Sequence, residues 1–307
     1  MNKEYSRLVT KISALMIIHF CLWFSLSVVY AMVCNSFFSG LSPAMCEIAT
    51  DLLYAVIYLI TFGTPRLLFN RFTRSSFEEK LNRTPGKDAV LVIFVSVAAI
   101  YAASVFGTIF TAPFDAIGFD VFDADVGMTV TPATVFVKLV MMVVIPAILE
   151  ETLFRGLIMR SLAPYGKTQA IMLSALLFAL MHQNPKQFLY AFAGGIVIGY
   201  FVLERGSLLL GMLIHGINNL VSLISLVVYN SCTENVYNAF SVSLQFVVFC
   251  GALVALPMLI IGAKKKEAKE KEEAAKCNPF TSPLLIVYFL ISILYVVYIV
   301  VVSGAGR

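Results

Sequence analysis

Nine stretches of the chain are almost unbroken hydrocarbon, centred on residues 12–34, 52–62, 89–111, 135–159, 168–181, 188–203, 208–229, 240–262 and 284–302. An α-helix needs about 20 apolar residues to cross roughly 30 Å of lipid. The second, fifth and sixth runs are short and borrow flanking residues to reach that length. The pattern predicts an all-α fold, a polytopic transmembrane helical bundle of about nine spans, within a range of eight to ten. Residues 1–134 hold spans one to three, 135–230 spans four to seven, and 231–307 the last two. Between those two, residues 264–276 are charged, Ala-rich and without an apolar face. They read as a solvated cytoplasmic linker, helical or disordered.

Composition agrees. The chain is 60% hydrophobic and only 13% charged, where a soluble domain carries about 25%. Its mean hydropathy is +0.89. The net charge of +4 comes from basic residues in a few short loops, and no surface for nucleic acid is expected. Those loops set orientation, because cytoplasmic loops are rich in Lys and Arg. The N-terminus, residues 66–87, 155–167, Arg205 and residues 264–276 are basic. Residues 35–47, 113–130 and 229–240 have no Lys or Arg, and Lys186 is the one mild exception. The N-terminus is therefore expected in the cytoplasm and the C-terminus outside, in a membrane that reads as a bacterial plasma membrane. Lys3, Arg7 and Lys11 precede a run longer than a signal h-region of roughly 7–15 residues, so the first span is expected to be retained. The six cysteines show no zinc or redox spacing. Cys34, Cys46 and Cys232 fall near outer ends and leave room for one disulfide, but packing is the plainer reading.

Three segments place polar groups where hydrocarbon belongs: Glu150-Glu151-x-x-x-Arg155, Phe178-x-x-x-His182 and His215-x-x-x-Asn219. Charged groups near the bilayer centre cost roughly 2.5–3.5 kcal/mol each on insertion scales, so their clustering marks a functional site. Helix neighbours point about 100° apart, so Glu150 and Glu151 are expected to serve different purposes. Glu151 pairs with Arg155 along the helix surface, four residues on, leaving Glu150 free. Pro146 has no N–H for the carbonyl of Met142, loosening the helix one turn earlier. The third histidine, His19, stands beside Trp23 and reads as a satisfied packing residue. Ala191, Gly195 and Gly199 recur at the four-residue spacing that lets membrane helices approach closely. Asn218 reads as interhelical glue, a role open to Asn219 as well.

A carboxylate, two imidazoles and a carboxamide from three helices can share one pocket, as bundle sites are commonly built. An apolar setting makes a carboxylate a competent general base near neutral pH. It can take a proton from water, while imidazole and amide groups orient that water or stabilise the oxyanion. There is no G-x-S-x-G elbow to supply a covalent nucleophile. Two histidines and a glutamate also form a catalytic zinc set, with Glu150, His182 and His215 as ligands, but the H-E-x-x-H spacing is absent. Metal-free general-base hydrolysis is slightly preferred over a divalent metal such as zinc.

The ordered triple of motifs on successive apolar segments resembles the CPBP family: the CAAX proteases and the bacteriocin-processing or Abi proteins. The resemblance covers about residues 135–229. It implies an intramembrane endopeptidase in which Glu150 activates water, His182 and His215 assist, and Asn219 stabilises the oxyanion. Glu151 and Arg155 support, and Phe178 shapes the pocket. The implied partners are a peptide or lipid-modified protein substrate and membrane lipids. Two other classes stay open: a membrane immunity or scaffold protein that binds a partner, and a proton-coupled transporter, since buried Glu and His also form proton relays. The lack of an evident inverted repeat weighs against transport. Oligomeric state and natural substrate are not legible.

Overall fold

The computed structural model describes residues 3–73, 83–116, 127–264 and 282–305, and the linker at 265–276 lies outside them. Among the described residues there are nine helical rods and no strand. They are α1 (Lys3–Phe38), α2 (Pro43–Thr73), α3 (Ala89–Ala116), α4 (Pro132–Tyr165), α5 (Lys167–Met181), α6 (Pro185–Arg205), α7 (Leu208–Ser231), α8 (Glu234–Lys264) and α9 (Pro283–Ala305). Seven of them are long and apolar enough to cross a membrane. The 15 residues of α5 span about 22 Å at 1.5 Å per residue, short of a full crossing. Helix α9 has 23 residues, enough for about 34 Å at 1.5 Å per residue. The polytopic all-α architecture expected from the sequence therefore stands, with seven helices of spanning length and composition among the described residues.

Local chemistry sets the rod ends that matter for the site. Thr131 caps α4: its hydroxyl accepts from the Thr134 N–H, Thr134 reciprocates, and Pro132 sits at the first helical position. Ser207 caps α7 by accepting from Leu210 N–H at 3.2 Å. The turn before it needs a left-handed residue, supplied by Gly206 at φ +63°.

Rod α4 is not a uniform α-helix. Two π-helical turns, Leu139–Val144 and Phe154–Met159, bracket the regular stretch Ile145–Leu153 that carries Glu150 and Glu151. Such widened turns recur at functional sites. The glycines of α6 let three neighbours in. A Cβ on Gly195 would lie 2.8 Å from Ala175 Cβ in α5, one on Gly194 3.2 Å from Ile100 in α3, and one on Gly199 3.0 Å from Met159 in α4. Bare backbone is what permits this approach.

The core runs from Ile12 and Met16 of α1, through Phe154 and Leu157 of α4, to Leu177 of α5 and Ile214 of α7. Large apolar side chains on the outside, such as Leu253 and Phe246 of α8 and Phe106 of α3, are exposed, as a lipid-facing surface requires. The protein is an integral membrane protein. Cys34, Cys46 and Cys232 are unbridged.

Candidate active site

Glu150, Glu151 and Arg155 of α4 and His215 of α7 are all buried. Glu151 Oε1 accepts from Arg155 Nη1 at 2.8 Å and from His215 Nδ1 at 2.9 Å. A carboxylate only accepts, so Nδ1 of His215 carries the proton. On the other side of that ring, Nε2 lies 3.8 Å from Glu150 Oε2. The Glu151–Arg155 pair forms at the expected four-residue spacing and is wholly buried. The two carboxylates point about 100° apart yet face opposite nitrogens of one imidazole, because the ring projecting from α7 presents one to each.

Glu150 Oε1 accepts from the hydroxyl of Tyr58 in α2. Its Oε2 is buried without a hydrogen-bond partner. Unpartnered buried carboxylate oxygens are costly and call for an explanation. At 3.8 Å apart, Oε2 and His215 Nε2 are within hydrogen-bonding reach of one shared water lying to the side of the line between them, at about 2.8 Å from each.

His182 ends α5, and its Nδ1 donates to the carbonyl of Phe178 at 2.8 Å. Phe178 is the wedge of the site. Its ring stands edge-on to His182 at 4.8 Å and to His215 at 6.0 Å, and the Arg155 guanidinium lies over it at 4.4 Å. A cation over an aromatic face is attracted by the ring quadrupole.

Asn219 Nδ2 donates to the Met142 carbonyl at 2.9 Å, the acceptor that Pro146 leaves without its usual donor. Asn218 Nδ2 lies 3.5 Å from Asn219 Oδ1. His19 does the same service in α2: its Nδ1 donates to the Thr61 carbonyl at 2.9 Å, four residues before Pro65. The bland reading of His19 thus describes its bond, although the residue also lines the site.

Glu150, His182, His215 and Asn219 share the wall of one cavity of about 380 Å³ with Tyr54, Tyr58, Trp23, His19, Met142 and Tyr190. The contributions of α1 and α2 were not legible in the sequence. The one available signal was the aromatic stripe Tyr54, Tyr58, Phe62 at four-residue spacing, which ordinary core packing explains equally well.

With both Nδ1 atoms committed, the Nε2 atoms of His182 and His215 and Glu150 Oε2 remain, the donor chemistry of a catalytic zinc. Among the described residues, however, no three His, Cys, Asp or Glu groups gather closely enough to hold one ion. The side chains as placed do not fit a metal centre.

The protein is thus an integral membrane helical bundle that gathers a buried glutamate, two histidines and an asparagine around one cavity. Residues 132–221, from the start of α4 well into α7, match the family described as Type II CAAX prenyl endopeptidase Rce1-like, which supports a CPBP, or CAAX protease, family for the protein. No curated protein and no solved structure matches the chain.

Proposed function

We propose that the protein is an intramembrane endopeptidase that hydrolyses a peptide bond with a glutamate-activated water. The observation that carries this reading is the unpartnered Glu150 Oε2, facing His215 Nε2 across the cavity. Water held there gives its proton to Glu150 as its oxygen attacks the substrate carbonyl. Glu150 then passes that proton to the leaving amine. Glu151 fixes the tautomer and direction of His215, as the third member of a catalytic triad orients its imidazole. His182, with Nδ1 tied to Phe178, turns Nε2 towards water or substrate. Asn219 has a second N–H beyond the one given to Met142, available to the oxyanion.

The family points to a peptide or lipid-modified protein as substrate. The Lys and Arg pattern supports an N-terminus in the cytoplasm and a C-terminus outside, in a membrane we read as a bacterial plasma membrane.

The test is cleavage of quenched fluorescent peptides by purified protein in liposomes, wild type against Glu150→Gln, with and without a chelator. Cleavage is expected to fall by on the order of 10²–10⁴ in the variant and to ignore the chelator. A variant that cuts at the wild-type rate overturns the reading.

A further inference from the structure

We propose that Tyr58 is a positioning residue of this site, holding the Glu150 carboxylate in the one orientation that presents Oε2 to water. The inference rests on the peptidase reading above and adds a fourth helix to it, since α2 lies outside the segment matched by the family.

The Tyr58 ring has little freedom. It stacks on Phe62 with centroids 4.4 Å apart and an interplanar angle of 27°, and packs against Tyr54 at 5.7 Å. Helix α1 closes the cluster: His19 meets Phe62 edge-on at 4.9 Å and Trp23 meets Tyr54 at 5.6 Å. The side chain is only 7% exposed, so its hydroxyl needs a partner within the protein. That partner is Glu150 Oε1.

The terminal torsion of a glutamate is broad and roughly two-fold, so an untethered carboxylate presents either oxygen in a range of directions. A donor fixed by an aromatic stack removes that freedom. Oε1 is engaged and Oε2 faces His215 Nε2 at 3.8 Å. The same bond leaves Glu150 one free acceptor oxygen, the one a reacting water requires.

Tyr58→Phe deletes the hydroxyl and keeps the stack. Tyr288→Phe serves as control, because Tyr288 is an equally buried phenol in α9, away from the cavity wall. Peptide cleavage and thermal unfolding of the full-length protein in detergent are the readouts. We expect Tyr58→Phe to lower kcat by on the order of 10–100-fold, the scale of small misplacements of a reacting group. KM should stay within about twofold, as for an interaction realised in the chemical step. Tyr288→Phe should leave kcat within about twofold of wild type. The Tm shift caused by Tyr58→Phe should shrink in a Glu150→Ala background, where the acceptor is gone.

A kcat within twofold of wild type, a change confined to KM, or an equal loss in both phenol variants overturns the role. So does an equal Tm shift in both backgrounds. Wild-type protein that cleaves no peptide removes the peptidase reading and this role with it, while the Tm cycle still decides whether the bond forms.

Discussion

Glu151 of α4 accepts from His215 Nδ1 of α7 at 2.9 Å, across 64 residues of chain. One carboxylate thereby neutralises the fully buried Arg155 and sets the tautomer of the histidine facing Glu150. Structure and chemistry meet in a single side chain, and variants can separate them.

Glu151→Gln leaves the buried Arg155 charge without the carboxylate it hydrogen-bonds, which costs about 3–5 kcal/mol. We expect a large drop in thermal stability in detergent. Adding Arg155→Met removes the stranded charge and should restore much of that stability. Turnover should stay depressed by on the order of 10²–10⁴, because His215 Nδ1 still lacks an anionic acceptor. Wild-type turnover in the stabilised double variant would show that Glu151 has no orienting role.

Asn219 and Pro146 form a second separable pair. Asn219→Ala strands the Met142 carbonyl, at about 1–3 kcal/mol. Pro146→Ala in the same protein returns a backbone N–H to that carbonyl, so the double variant should regain Tm. If the second amide N–H of Asn219 reaches the oxyanion, peptide turnover stays down by on the order of 10²–10³. Turnover that recovers together with Tm would make Asn219 a structural clamp alone.

The seam between α5 and α6 predicts a contrast between two glycines. A Cβ at Gly195 meets backbone, Ala175 Cα at 2.9 Å, and nothing there can swing aside. Gly195→Ala should cost about 1–3 kcal/mol and displace α5, which carries His182 at its end. At Gly63 in α2 nothing lies within 4 Å of the added atom. Gly63→Ala should instead be neutral or stabilising by up to about 1 kcal/mol. Thermal unfolding of the two variants side by side checks the packing, and equal shifts would contradict it.

Much was legible in one dimension. Long apolar runs announced an all-helical membrane bundle, because a backbone in lipid must satisfy its own hydrogen bonds. The polar groups within those runs marked the site, because hydrocarbon tolerates few of them. Local spacing found the Glu151–Arg155 pair and the Phe178–His182 face, since contacts three and four residues apart follow from helix geometry alone.

What the sequence could not supply was the partner across a helix interface. Periodicity says which residues share a face of one rod, not which rod that face meets or at what height. Only packing brought Tyr58 of α2 to Glu150 and His19 of α1 to the carbonyl freed by Pro65. The same packing set one imidazole between two adjacent carboxylates. Those contacts depend on close approaches such as Gly195 against Ala175, where the missing Cβ fixes how near two rods can come.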